Sequence, residues 1–251
     1  LPLTAREFDG LTRRAEMVST GVFVPRGAVK DLSRLLVTSP ANKPVLCQFE
    51  ALAFWPDKSV KWLLVDFPAD CPARGSAVYT LRDRGAKSGG STLSVEQTAG
   101  GVTVVTGPLR CELKRECFNL FENIFLDHDR DGSFEESERV SRAADKPGIS
   151  LIDSLGELSA SCFGKVRSSE IESAGPVRAT ILVRGALAAK SGKSELDYTA
   201  RIHFHAGSGF VRVFFTLANH NPTVPLVDRN GDRHWIMGRP GSVKKDRKSV
   251  V

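Results

Sequence analysis

The densest concentration of chemistry in the chain is Asp127-His128-Asp129-Arg130-Asp131-Gly132-Ser133-Phe134-Glu135-Glu136-Ser137-Glu138. It fits the calcium-loop pattern D-x-[DN]-x-[DN]-G-x5-E throughout, with Phe134 at the apolar eighth position. Alternate aspartates can turn hard carboxylate oxygens toward one centre, and Gly132 permits the sharp bend between them. The Ser133 carbonyl adds a neutral ligand and Glu138 can close the shell with two oxygens. The expected metal ligands are therefore Asp127, Asp129, Asp131, Ser133 and Glu138, with Ca²⁺ the expected cofactor. Asp-rich turns of the same composition also cap strands through Asx hydrogen bonds and hold no ion.

An EF-hand would need an amphipathic helix on each side of that loop. Before it, Phe118, Phe121 and Phe125 have helical spacing, whereas Phe118, Leu120, Ile124 and Leu126 share a strand face. After it, Glu138 to Lys146 offers only Val140, Ala143 and Ala144 as apolar contacts. The reading is a calcium loop on a β scaffold, in which Glu138, the ligand an exit helix would normally place, is the least anchored.

Other groupings carry less. Asp228-Arg229-Asn230-Gly231-Asp232 has an Asn-Gly pair suited to positive φ but lacks an acidic closing ligand, and reads as a plain turn. His203 and His205 lie two apart on a strand pattern, with no third ligand at a recognisable spacing, and read as core or solvent-side histidines. Five cysteines (Cys47, Cys71, Cys111, Cys117, Cys162) form no zinc-knuckle or redox pair. Cys111 and Cys117 read as small apolar fillers rather than a disulfide. No G-x-S-x-G elbow, P-loop or H-E-x-x-H occurs, so no self-contained catalytic motif is visible.

The elements that must position these residues are strands. Gly21 to Val24, Cys47 to Phe54, Val60 to Phe67, Ala77 to Leu81, Gly101 to Thr106 and Leu109 to Leu113 are short apolar runs separated by Pro, Gly, Asp and Ser. Pro25-Arg26-Gly27, Pro56-Asp57-Lys58 and Pro72-Ala73-Arg74-Gly75 supply the reversals. Arg84 to Ser91 has the small, polar composition of a linker and divides a domain over 1–86 from a second over 92–251. In the second, Val177, Ala179, Ile181 and Val183 alternate with Arg178, Thr180 and Arg184. Tyr198, Ala200, Ile202 and Phe204 alternate with Thr199, Arg201, His203 and His205. Each strand thus has an apolar and a polar face, with the arginines read as solvated, while Phe210 to Leu217 is apolar enough to be covered on both. The fold class is all-β.

At 251 residues, with 41% hydrophobic and 25% charged residues, the chain has globular rather than collagenous or disordered composition. Its longest apolar runs fall far short of the ~20 residues of a membrane helix, so no membrane partner is expected. Thirty-five basic against 29 acidic residues give +6 and a pI of about 9.2. That balance favours acidic partners such as polyuronates or nucleic acid without choosing between them. The basic tail Lys244 to Ser249 has no interleaved aromatics or recognition helix, so nucleic acid is not the expected partner. The first residues, Leu-Pro-Leu-Thr-Ala-Arg, do not form a secretion signal and do not begin with Met.

Gln48 to Phe67, with Trp55-Pro56-Asp57-Lys58-Ser59-Val60-Lys61-Trp62 at its centre, resembles the Q-x5-W-P-D-G-S-V-[RK]-W-x-x-x-D-F segment of the exo-rhamnogalacturonan lyase family, also called PcRGLX/YetA-like. Lys58 stands where that family usually has glycine, so the turn must accommodate a side chain. Gly21-Val22-Phe23-Val24-Pro25-Arg26-Gly27 resembles the family's opening strand, with Phe23 in place of proline. Ser173 to Ala179, Arg201 to Gly207 and Phe210 to Val213 resemble strands of its central sandwich. Asn221-Pro222 and Trp235 to Val243 also resemble the family, with Arg239 where an acidic residue is common.

This resemblance implies an N-terminal RIFT-type barrel followed by a β-sandwich, with the sandwich truncated near Val251. It further implies a C-terminal α/α toroid that would complete the lyase cleft, and a secreted or periplasmic setting. No matched motif is a catalytic one, so no catalytic residue is assigned. The chain is expected to be the non-catalytic β portion of a rhamnogalacturonan or pectin lyase-like protein, inactive alone, serving as scaffold and polysaccharide-binding surface. The alternative is a calcium-dependent interaction module without carbohydrate chemistry. Trp55 and Trp62 are expected to fill the barrel core, with Asp57 capping their turn.

Overall fold

The computed structural model describes residues 1–83, 90–142, 147–152, 156–192, 194–219, 223–227 and 233–237. Outside them lie Arg84 to Gly89 of the expected linker, the Asp228–Asp232 turn and Asn221-Pro222. Ala143, Ala144, Gly238 to Val243 and the basic tail also lie outside. The chain forms two compact units. The first comprises Leu1–Ser94, Ser173–Ala179 and His205–Ser208, and the second comprises Val95–Glu172, Thr180–Phe204 and Gly209–Val251. Among the described residues no helix is long and apolar enough to cross a membrane.

The first unit holds β1 (Pro2–Arg6), β2 (Arg13–Phe23), β3 (Leu35–Thr38), β4 (Pro44–Val45), β5 (Gln48–Phe54), β6 (Val60–Cys71) and β7 (Ser76–Asp83). They form a four-stranded sheet, order β1-β7-β3-β4, and a three-stranded sheet, order β2-β6-β5, every pair antiparallel. The period-two geometry of β6 explains the core. Leu63, Val65 and Phe67 point inward and, with Val37, Val60 and Tyr79, are almost fully buried.

The opposite face of β6 carries Trp62, Leu64 and Asp66, and it is not uniform. At one end Asp66 is buried beneath Arg178, whose Nε donates to Asp66 Oδ2 at 3.0 Å and whose Nη2 reaches Glu50 Oε2 at 3.3 Å. Ser19 Oγ donates to the other oxygen of Asp66. Gln48 Oε1 accepts from the backbone N–H of Val177 and Arg178, at 3.1 and 2.8 Å. A Cβ at Gly175 would sit 2.2 Å from the Gln48 amide carbon, so a side chain there would displace this hydrogen-bonded amide.

The second unit contains β8 (Ser94–Gln97), β9 (Gly101–Val105), β10 (Leu109–Lys114), β11 (Asn123–Leu126) and β12 (Arg139–Arg142), in the order β12-β11-β10-β9-β8. A second sheet has β13 (Ser150–Ile152), β14 (Leu158–Ala160), β16 (Arg178–Ala189), β17 (Ser194–His205) and β18 (Val211–Ala218) in the order β13-β14-β16-β17-β18, with β15 (Val166–Ala174) also on β16. The last two residues of β15, the first two of β16 and the last of β17 belong to the first unit. A ribbon of β19 (Thr223–Val227) and β20 (Arg233–Met237) follows. The strand covered on both faces is β16, buried at every position but Arg184. It is not β18, where Phe214 and Leu217 stay about half exposed. A central strand of a sheet is covered where a terminal one such as β18 need not be.

The Phe118 to Leu126 ambiguity resolves toward β: Asn123–Leu126 is strand, and Phe118 leaves the chain's surface to stack on Tyr198 with ring centroids 5.4 Å apart. Its neighbour Cys117 is not an apolar filler. It is disulfide-bonded to Cys162, with Cα atoms 4.4 Å apart, a pairing 45 residues apart that no sequence spacing indicates. Cys111 is a buried free thiol, as a filler should be.

Candidate functional site

The acidic segment is the connection between β11 and β12, at one edge of the five-stranded sheet. β11 pairs with β12 through Phe125 and Arg139, so the loop is a hairpin crossing rather than a helix-loop-helix. Asp127 is drawn in at its entry, its N–H donating to the Pro108 carbonyl at 2.9 Å. Arg130 and Gly132 both take positive φ, 64° and 83°, and fold the tip back. Asp127 Oδ2 then accepts from Gly132 N at 3.1 Å, Asp129 Oδ1 from Asp131 N at 3.2 Å, and Asp131 Oδ1 from Ser133 N at 2.7 Å.

The result is a convergence of carboxylates. Asp127, Asp129 and Asp131 each present an oxygen within 4.8 Å of the other two, and Asp129, Glu135 and Glu138 do likewise. Asp127 is 8% exposed, and its Oδ1 is buried without a hydrogen-bond partner. Ser133 is exposed and lies two residues after Asp131, beyond Gly132. Glu138, 2% exposed, is held by the loop backbone: Oε1 accepts from His128 N at 3.0 Å and Oε2 from Glu135 N at 3.3 Å. A 3₁₀ turn, Glu136–Glu138, does the positioning that an exit helix would otherwise do. Glu135 was not among the expected ligands. The negative charge of Asp131, helped by desolvation and by Glu138 and Asp129, raises its pKa above the ordinary carboxylate value. The signal was present in the sequence, since Glu135 occupies the ninth place of the calcium-loop pattern.

A second feature lies on the first unit, on the open end of the outer face of β2-β6-β5. Trp62 is not core: it is 43% exposed, pairs across the ladder with Phe23, and meets that ring edge-on at 5.5 Å. Phe23 in turn meets Trp55 edge-on at 5.8 Å, and Trp55 is half-buried, its Nε1 donating to the Val24 carbonyl at 3.0 Å. Lys61 Nζ stands 4.8 Å above the Trp55 ring. The alternation that buries Leu63 and Val65 already requires Trp62 to face the other way. Asp57 does cap the turn between the tryptophans, accepting from Ser59 Oγ at 2.6 Å and Ser59 N at 3.1 Å. The Ser59 hydroxyl, with lesser contributions from the Ser59 N–H and Arg26, holds the Asp57 carboxyl below its ordinary pKa.

Of the arginines expected to be solvated, Arg184 and Arg201 are exposed and ion-paired at the surface, while Arg178 is buried. Arg178 is buried on Asp66, Arg184 Nη1 meets Glu170 at 2.7 Å, and Arg201 Nε meets Glu172 at 3.0 Å. His203 contacts Thr180 Oγ1 at 2.9 Å and Phe214 edge-on, and neither His203 nor His205 joins a metal-ligating group among the described residues.

Two domain models match the chain in succession: the PcRGLX-like N-terminal RIFT barrel domain over residues 6–80, and the PcRGLX-like protein central beta sandwich domain over residues 93–225. The chain belongs to the PcRGLX-like family. Its all-β architecture is a RIFT barrel followed by a β-sandwich. It is also similar to the uncharacterized protein YetA of Bacillus subtilis (strain 168), at 23% identity over 88% of this chain. The chain spans only 24% of that relative's length. In PcRGLX-like terms the Trp62 face belongs to the barrel region and the acidic hairpin to the sandwich region.

Proposed function

We propose that this chain is the non-catalytic β portion of a rhamnogalacturonan or pectin lyase-like protein, acting as a scaffold and offering an acidic polysaccharide a surface centred on Trp62. The observation that carries this reading is the match of both β domains, in family order, over most of the chain. A lyase of uronate-containing polymers must remove the proton α to a carboxylate and expel the glycosidic oxygen, which requires a base beside a cation that neutralises that carboxylate. Arg178, Arg184 and Arg201 are engaged by acidic partners and suit structural roles. In this reading the base and the cation come from an α/α toroid elsewhere in the whole protein. The Cys117–Cys162 disulfide fits a secreted or periplasmic protein.

The Trp62 face has the chemistry a uronate polymer would use. Aromatic rings offer flat apolar area to the C–H face of a sugar, and Lys61 beside them offers a cation to its carboxylate. The test has two arms on the full chain. Incubation with rhamnogalacturonan, followed by the absorbance of unsaturated uronate, should give no product, and robust product overturns the scaffold role. Calorimetric titration with rhamnogalacturonan oligosaccharides should show binding that Trp62→Ala weakens by about tenfold. No binding, or equal binding by a folded variant, overturns the surface.

A further inference from the structure

We propose that the β11–β12 hairpin binds one Ca²⁺ ion, with Asp127, Asp129 and Asp131 as its carboxylate ligands. Acidic loops are common and need no ion, so the argument rests on Asp127. This side chain is more than nine-tenths buried, yet its Oδ1 has no hydrogen-bond donor while Oδ2 accepts from Gly132. A desolvated carboxylate oxygen without a partner is costly, and two more carboxylates brought within 4.8 Å add repulsion rather than relief. A cation at their centre resolves both. Two oxygens bound to one calcium at 2.3–2.6 Å lie no more than about 5 Å apart, so the observed convergence already satisfies the geometric condition.

The surrounding residues fit the same assignment. Ser133 follows Asp131 at the place where a calcium loop supplies a carbonyl, and Glu135 flanks the cluster. Glu138 acts first as a clasp, since its two oxygens tie the N–H groups of His128 and Glu135 and so hold the two ends of the loop together. It stands within ligating range of Asp129 and Glu135. Asp129 belongs to both carboxylate groups, which makes it the residue whose loss leaves neither intact. Calcium is favoured over magnesium because a flexible shell of many oxygens suits the larger ion, while magnesium demands a tight octahedron and surrenders water reluctantly. The ion would pin the edge hairpin of the five-stranded sheet, and this inference stands independently of any saccharide role.

The experiment uses the full chain stripped with chelator. Calorimetric titration with Ca²⁺ should give one site per chain, with Mg²⁺ at least tenfold weaker. A hundredfold excess over Kd should raise the melting temperature by about 5–10 °C. Amides of Phe125 and Arg139, which pair across the hairpin, should exchange at least tenfold more slowly with calcium. Asp129→Ala, at an exposed position, should remove the calcium heat and the thermal shift while leaving the calcium-free melt unchanged. Asp127→Asn should also remove the heat, without lowering the calcium-free melt. Absence of calcium heat with identical melts in chelator and millimolar calcium overturns the site. So does wild-type affinity in folded Asp129→Ala.

Discussion

Lys58 sits at φ 63°, in the left-handed region, where its Cβ is disfavoured and glycine is the usual occupant. Its N–H donates to the Trp55 carbonyl at 2.9 Å and Trp55 N–H donates to the Ser59 carbonyl at 2.8 Å, so the turn keeps its shape despite the side chain. Asp57 supplies the compensation through its two bonds from Ser59. Lys58→Gly should therefore stabilise the protein by about 1 kcal/mol, as left-handed strain is released against a modest gain of unfolded-state freedom. Urea unfolding at neutral pH measures it, and a variant less stable than wild type would show the turn to be held by the lysine side chain instead. The same residue-scale logic separates Trp62 from Leu63. Adjacent in sequence and both large, they differ only in which side of β6 they occupy, and that alone sends one to the surface and the other to the core.

At the scale of elements, alternation made the strands legible and turn chemistry placed many of their ends. The barrel strand around Val60 to Phe67 reads as an apolar run bounded by turn residues, and the sandwich strands around Ala179 and Ile202 follow from period two. What periodicity could not carry was non-local. It read Arg178 as solvated because its strand neighbours alternate, whereas Asp66, 112 residues away, buries it. It likewise offered no way to pair Cys117 with Cys162, since closure of a 45-residue separation is fixed by the fold. The acidic hairpin was legible because all its residues are contiguous; only the capping role of Glu138 and the raised pKa of Glu135 needed the folded loop. The disulfide ties the irregular segment beside Phe118 to the end of β14, where Ser161 Oγ also donates to the Phe118 carbonyl. By chain entropy, closing that loop is worth about 4 kcal/mol. Cys117→Ser with Cys162→Ser should lower stability by about 2–5 kcal/mol. Denatured, unreduced wild-type protein should titrate three free thiols, matching Cys47, Cys71 and Cys111. Five titrated thiols, or an unchanged unfolding midpoint in the double variant, would contradict the bond.

For the whole molecule, the formal charge of +6 grows as carboxylates protonate, so acid acts against a chain already carrying excess positive charge. Glu7 concentrates that sensitivity in the barrel unit. Its carboxylate accepts from the backbone N–H groups of Arg74, Gly10 and Asp9, each at 2.9 Å, and meets Arg13 Nη2 at 3.5 Å. It thereby joins the segment after β1 to the turn between β6 and β7. The Arg74 N–H, followed by those of Gly10, Asp9 and Leu11 and opposed by desolvation, lowers the Glu7 pKa from an ordinary 4.5 to about 2. The folded pKa lies below the unfolded one, so the unfolded state binds the proton more readily. Glu7 therefore contributes its full stabilisation above about pH 4.5 and loses it progressively as pH falls toward 2. Glu7→Gln keeps an acceptor oxygen but removes the charge and its titration. Urea midpoints taken from neutral pH down through this window should show the variant less stable at neutral pH and the wild type falling more steeply, until the two converge near pH 2. Parallel curves across the window would mean that these N–H groups hold a charged and a neutral side chain equally well, contrary to the lowered pKa.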